Sequence, residues 1–431
     1  MFRDNAPPLS LTTTVSLMSE TPLPIGDPTK LGFDTDRLEQ IGPAMQHFVD
    51  SKKVPNLVTL LAREGQIVHF EARGVLDVEQ GNPVSKDSLF RMFSNTKPIA
   101  GVATLILFER GVLTPDDPVA RFLPEWSDLQ VVNRNELMVT EPAKRPLTIR
   151  HCLTNTTGLM SPPAMPGMYR QQLRDELATL GYEDDDGFGS DIPNRDRVRA
   201  MAKLPLGFHP GERFVYHAGY PILSAVLEEA CGQTLDVFFQ ENIFDPLKMD
   251  STDFYLKPGT QDRFGTNYVP REVDGEVKLH PVETAATSEK NGPRKHFGGG
   301  GDAGGVLSTA GDYARFGQML LNGGELDGVR ILGRKTVDLM IGNHTGDMTI
   351  PMTGRGFHWG LGVATYHGRG APPLIRSVGT YGWGGAAGTT YFGDPAEELL
   401  GVCLTQVLNH GAMPGNNYQE TFQRLSYQAL T

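Results

Sequence analysis

FSNTKPIAGVATLILF, residues 93–108, is the stretch from which the rest of the chain can be read. Its second half is apolar nearly all round, the signature of a helix buried inside a large protein. Pro98 is tolerated only in a first helical turn, so it fixes where that helix begins. Ser94 and Lys97 therefore stand one turn apart at the N-terminus, and residues at i and i+3 share a helix face. The positive end of the helix dipole favours negative charge developing there. A serine hydroxyl beside a lysine amine has the makings of an activated nucleophile. The plainer alternative makes Ser94 an N-cap and Lys97 a surface residue, because S-x-x-K alone recurs by chance.

Outward from this helix, the chain reads as helix and strands first, helices in the middle, strands and a helix last. A helix is expected over 34–49, with Pro43 at a kink or break. Strands over 57–63 and 66–72 flank the turn Glu64-Gly65. The central helix should stop near Arg110-Gly111. A further helix starts after Thr148, and others are expected over 195–202, 218–230 and 235–243. Ser308 is the expected cap of a helix over 310–321. Strands are expected over 358–366, 388–392 and 399–406, then a closing helix over 418–429. Residues 160–194 read as long and irregular, with the acidic run Glu183-Asp184-Asp185-Asp186 as a solvated loop. Residues 258–294 are polar without periodicity. The glycine cluster at 297–305 lacks the Gly-Lys-Ser/Thr ending of a phosphate loop, so it reads as a place where two backbones pass closely. This order implies an α+β fold: an antiparallel sheet flanked by helices, built from both ends of the chain, with a mainly helical insertion. The expected division is an arm over 1–30, a sheet domain from 31–93 and 297–431, and a helical domain over 94–296.

Composition narrows function. The 431 residues carry a formal net charge of −12, which disfavours nucleic acid and anionic membrane surfaces as partners. No apolar run reaches the ~20 residues that span a bilayer. The first twenty residues lack an apolar core followed by a small-residue cleavage site, so a cytoplasmic protein is expected. Cys152, Cys231 and Cys403 are widely spaced among apolar residues and read as three buried thiols rather than a disulfide framework or zinc site. No serine has glycine at both −2 and +2, which disfavours a nucleophile elbow. No histidine pair has metal-ligand spacing, so neither a metal nor a cofactor is expected.

Five stretches, the first of them containing the start of the central helix, carry a resemblance: LFRMFSNTKPIAG (89–101), LTIRHCLTNTTGL (147–159), HPGERFVYHAGYPILSAVLEEACG (209–232), AGGVLSTAGDYARFGQML (303–320) and YGWGGAAGTTYFGDP (381–395). In this order they resemble the serine β-lactamase and penicillin-binding-protein superfamily. The resemblance is greatest to its class C-like branch, which contains the family VIII carboxylesterases and related acyltransferases. It runs from about Phe33 to the end of the chain. It implies a β-lactamase-like fold with the site between the two domains. By this resemblance Ser94 is the nucleophile, Lys97 its partner, and Tyr216 the tyrosine of the Y-x-N motif. Trp383-Gly384-Gly385 stands where K-T-G does, and the N–H groups of Ser94 and Ala386 form the oxyanion hole. His217 would line the pocket with Trp383, Gly384 and Gly385. Whether Lys97 or Tyr216 is the base stays open, since the two can titrate as a pair.

The departures from the family pattern bear on substrate. Ala218 replaces the asparagine that holds a β-lactam amide, and Trp383-Gly384-Gly385 lacks the lysine and threonine that hold its carboxylate. Losing charge-assisted hydrogen bonds at both places points away from β-lactams and towards short, uncharged esters. Asn155, where the family commonly has histidine, reads as a structural position. The expected activity is a serine carboxylesterase acting through an acyl-enzyme on a small-molecule ester. An acyltransferase, a weak β-lactamase or D-amino-acid peptidase, and a silent binding protein of the same fold are the alternatives.

Overall fold

The computed structural model describes residues 21–133, 136, 139–160, 165–182, 192–290, 305–370 and 375–431. The acidic run at 183–186, the arm as far as residue 20 and most of the glycine cluster lie outside them.

Seven strands form one antiparallel sheet. They are β1 (Asn56–Arg63), β2 (Gln66–Gly74), β3 (Phe357–Trp359), β4 (Ala364–Tyr366), β5 (Tyr381–Gly384), β6 (Thr390–Asp394) and β7 (Leu399–Leu404), in the order β3-β4-β5-β6-β7-β1-β2. The last strand of the chain thus pairs with the first, Val58 opposite Leu404 and Leu60 opposite Val402. Both strands are apolar on successive residues because the sheet is covered on both faces. On one side Val58, Leu60, Val402 and Leu404 meet Tyr313, Ala314 and Phe316. On the other, Leu57, Leu61, Leu399 and Cys403 meet Met45, Phe48, Phe422 and Leu425. Each such side chain contributes about 1.5–3 kcal/mol on burial.

The covering helices are α1 (Ile41–Asp50), α2 (Thr96–Glu109), α3 (Tyr220–Cys231), α4 (Ala310–Leu321) and α5 (Tyr418–Gln428), α2 and α3 lying in the helical part. Residues 34–49 are not one helix. A short turn, Thr35–Leu38, precedes α1, and Pro43 falls in the first turn of α1, where it needs no amide partner. The cap of α4 is Thr309, whose hydroxyl accepts from the Asp312 amide; Ser308 lies in the preceding strand and bonds Thr252 instead. Residues 358–366 fold back as two strands, because Gly360 and Gly362 open a turn between β3 and β4. That turn touches α2: a Cβ on Gly101 would stand 2.3 Å from the Leu361 carbonyl oxygen, so only glycine permits the approach.

Two expected irregular segments carry regular structure. Residues 160–194 contain a helix, Gly167–Thr179, held by Tyr169, Leu173 and Leu177. Residues 258–294 contain the hairpin Asn267–Val273/Glu276–Glu283. Its turn residues Asp274 and Gly275 both have positive φ, the geometry of a two-residue hairpin turn. Cys152 and Cys403 are buried and Cys231 is half-buried; all three are free thiols. Among the described residues no helix is long and apolar enough to cross a membrane.

Candidate active site

Ser94 sits in a 3-10 turn, Phe93–Asn95, that leads into α2. Phe93 has φ +47°, a left-handed conformation that costs a phenylalanine about 1–3 kcal/mol and must be held by its surroundings. The holding contacts are in place. The Asn95 side-chain Nδ2 donates to Thr389 Oγ1 at 3.1 Å, and the Tyr313 hydroxyl donates to the Asn95 backbone carbonyl at 2.8 Å. The Val306 amide donates to Thr96 Oγ1 at 3.1 Å.

Lys97 lies in the first turn of α2 and is 0% exposed. Its Nζ stands 3.0 Å from Ser94 Oγ and 3.0 Å from His217 Nδ1. It also lies 4.7 Å from the ring centre of Tyr216 and 4.9 Å from that of Tyr220. Burial pushes the amine well below its ordinary pKa, because a charged ammonium there would lose its water.

Tyr216 arrives on a loop that Asn155 grips at both sides. The Asn155 carbonyl accepts from the Val215 amide at 2.7 Å, and its Oδ1 accepts from the His217 amide at 2.8 Å. The phenol is a hydrogen-bond partner of Ser94 and accepts from the Trp383 indole Nε1–H at 2.7 Å. Burial raises its pKa to about 12, against the lowering effect of those two hydrogen bonds. Aromatic rings enclose it: Trp359 and Trp383 meet edge to face at 4.4 Å between centroids, and Phe214 stacks over Tyr216 at 6.5 Å. His217 is held neutral, its pKa lowered to about 3 by burial first and by Lys97 and Arg197 after that. Burial thus disfavours the charged forms of the amine, the phenol and the imidazole that surround the serine.

The 3-10 turn bearing Ser94 is pinned against the end of β5. A Cβ on Gly385 would come within 2.3 Å of both the Met92 carbonyl oxygen and Thr389 Oγ1. Glycine there brings the backbone of Ala386 alongside the serine. A cavity of about 900 Å³ opens over this junction, lined by Ser94, Tyr216, Trp383, Gly384, Gly385 and Ala386. Met352 and Ile375, each 47% exposed, also line it, as do the charged side chains of Arg376, Glu420 and Arg424.

The structure thus gathers Ser94, Lys97, Tyr216, His217 and the 383–386 strand end at one place. Lys97 and His217 stand behind the serine rather than on the cavity wall. Sequence reasoning missed Trp359, Phe214 and Tyr220, whose aromatic character gave no hint of location. It also missed the grip of Asn155 on the tyrosine loop. Among the described residues no group of acidic, histidine or cysteine side chains could hold a metal ion.

The sequence profile of the beta-lactamase family matches residues 43–423. The chain belongs to this family. Within it, esterase EstB of Burkholderia gladioli is 28% identical over 89% of this chain and 94% of its own. Protein Rv1367c of Mycobacterium tuberculosis is 29% identical over 90% of this chain and 98% of its own. Among solved structures, EstCE1, a hydrolase with promiscuous acyltransferase activity, superposes with a TM-score of 0.73 at 25% identity. It covers 91% of this chain and 99% of its own. This member of the beta-lactamase family is an enzyme of the serine hydrolase type, with the fold shared by class C-like esterases and penicillin-binding proteins.

Proposed function

We propose that the chain is a carboxylesterase that hydrolyses short, uncharged esters through an acyl-enzyme on Ser94. One observation carries this reading: a wholly buried lysine amine lies 3.0 Å from the serine hydroxyl. Burial disfavours the ammonium form, so the amine can offer a lone pair to the serine proton, and serine needs a base to attack. As Ser94 Oγ bonds to the ester carbonyl carbon, its proton passes to Lys97 Nζ. The carbonyl oxygen becomes an oxyanion facing the N–H groups of Ser94 and Ala386. Collapse breaks the carbon–oxygen bond to the alcohol. The departing alkoxide takes a proton from the Tyr216 hydroxyl, and the Lys97 ammonium returns one to the phenolate. In the second half water bonds to the acyl carbon, and its proton goes to the same amine and phenol pair. The Ser94–acyl bond breaks, the acid leaves, and Ser94 regains its hydrogen.

Tyr216 suits this relay because its oxygen meets both Ser94 and the Trp383 indole donor. The Trp383-Gly384-Gly385 strand end itself carries no cation for a substrate carboxylate; the arginines lining the cavity, Arg376 and Arg424, stand on other segments. Likeness to EstB supports an ester as the substrate class. A second reading, transfer of the acyl group to an alcohol, draws support from the cavity of about 900 Å³ beside the serine and from the activity of EstCE1. Both readings share every step up to the acyl-enzyme.

Mixing the protein with a chromogenic short-chain ester should release chromophore in a burst, followed by steady turnover. A covalent adduct of acyl mass should form on Ser94. Ser94→Ala should show neither. Turnover at the native rate in that variant would overturn the reading. Adding a primary alcohol and measuring ester against free acid separates transfer from hydrolysis.

A further inference from the structure

We propose that Arg376 is a second recognition point in the Ser94 cavity, where it binds a carboxylate carried by the ester at the end remote from the scissile bond. The inference rests on the reading of Ser94 as the nucleophile. It extends the substrates from short uncharged esters to longer ones charged at the far end.

The cavity that opens beside Ser94 continues along the sheet to Phe357 and Arg376. Its serine end is the end of β5 at Gly384 and the adjoining Gly385. Its other end lies near Thr380, whose carbonyl accepts from the Tyr366 amide at 2.8 Å. The Arg376 guanidinium carbon stands 5.9 Å from the ring centre of Tyr366 and 5.5 Å from that of Phe357. A strand advances ~3.3 Å per residue, so Thr380 and Gly384 are roughly 13 Å apart. Between them Ala364 and Gly382 line the cavity as cross-strand partners that carry a single methyl group between them. A run of methylenes can lie over that methyl group, with an ester at one end and a charge at the other.

The guanidinium is held in place without being neutralised. Its Nη2 donates to Gln423 Oε1 on α5, and the two rings crowd its faces. Among the described residues that is its one hydrogen bond, and no carboxylate forms an ion pair with it. Burial disfavours its charge, and the phenols of Tyr427 and Tyr366 with the carboxylates of Asp394 and Glu420 offset this only in part. Asp394 is already committed to Ser377, Thr380 and Tyr427. Glu420 is exposed, and Arg424 on the same helix stands against it in charge, so the charged lining of the cavity is positive on balance. A half-buried cation without a counter-charge is costly, and a carboxylate matches its planar fork of N–H donors best. The strand end beside the serine carries no cation, so a substrate's charge is met at the far end.

The test compares esters that differ only at their far end. Nitrophenyl half-esters of adipate, suberate and sebacate carry a carboxylate at increasing reach, and their distal methyl esters are the uncharged controls. The butyrate esters of ω-hydroxyoctanoic acid and of its methyl ester, followed by butyrate release, place the same groups in the alcohol half. In one half or the other, the native enzyme should favour the carboxylate over its methyl ester by about tenfold or more in kcat/KM, the scale of a hydrogen bond to a charged group. In the nitrophenyl series the preference should be smallest for adipate. Arg376→Gln should cut the preference by about tenfold, and Arg376→Lys, which keeps the charge but not the fork, should cut it less. No preference for the carboxylate in either half, or a preference that Arg376→Gln leaves intact, would overturn the proposal. Each preference is a ratio on one protein, so loss of folded enzyme cancels, and the native ratios decide the matter even if a variant does not fold. Ser94→Ala separates the two levels. If it is dead while the native enzyme ignores the carboxylate, the serine hydrolase reading stands and the role of Arg376 falls. If Ser94→Ala turns over at the native rate, both fall.

Discussion

Replacing Trp383 with phenylalanine removes the Nε1–H that donates to the Tyr216 hydroxyl at 2.7 Å while keeping an aromatic ring against Trp359. A hydrogen bond to a neutral group contributes about 0.5–1.5 kcal/mol and one to a charged group about 1.5–3 kcal/mol. Only the difference accelerates the reaction, because an interaction made equally in the ground state lowers no barrier. That difference is about 1–1.5 kcal/mol if Tyr216 acquires phenolate character in the slow step, or roughly 5- to 13-fold in kcat. The indole bond also opposes the burial that raises Tyr216 to about 12, so losing it makes the phenol a poorer proton donor still. Steady-state kinetics on a set of chromogenic esters reads kcat and KM separately, and a thermal melt checks that the smaller ring has not loosened the fold. An unchanged kcat with a raised KM would show that Trp383 only walls the cavity, and that Tyr216 carries no charge in the slow step.

Gly385→Ala should be far more damaging than its size implies. A Cβ at 2.3 Å from the Met92 carbonyl must retreat by about 1 Å to reach ordinary contact. Overpacking of this kind costs about 1–3 kcal/mol of stability. Displacing the Ala386 N–H should lower kcat about 100- to 1,000-fold, and native kcat with a native melt would refute this close approach. A third expectation concerns pH. Lys97 must be uncharged to act, and burial sets its pKa well below the usual lysine range, so kcat/KM should fall only as pH drops through that lowered value. An acid limb absent in the native enzyme would count against Lys97 as base. For stability, the unfolded chain binds a proton at this lysine more tightly than the folded one does. The group therefore opposes folding near neutral pH, and its cost fades as pH rises towards the ordinary lysine value. Lys97→Met should abolish turnover and raise the melting temperature at pH 7; a lowered one would refute the stability argument.

How much of this was legible in the sequence varied with how local the cause was. The central helix and its start could be read because Pro98 and an unbroken apolar run are local signals. The β1–β2 hairpin showed itself through Glu64-Gly65 in the same way. The second hairpin had an equally good signal in Asp274-Gly275, but polar flanking residues hid the alternation, since both its strands face largely towards solvent. The helix Gly167–Thr179 was masked by the Pro- and Met-rich residues before it and the acids after it. At the site, Ser94 and Lys97 are visible because a helical turn sets their spacing, and Tyr216 because a family resemblance marks it. The direction of the Trp383 indole and the turn of the His217 ring towards Lys97 depend on chain segments far apart, and no local pattern encodes them.

The pairing of β1 with β7 has a consequence for how the protein is made. During synthesis β1 and β2 leave the ribosome long before β7 exists, so the inner edge of β1 waits with its amides and carbonyls unpaired. An apolar strand held open in this way invites pairing with another nascent chain. Helices added meanwhile can shelter it but cannot complete it. Slowing translation through residues 357–404 should therefore lower soluble yield more than an equal delay near the N-terminus, whatever the stability of the finished molecule.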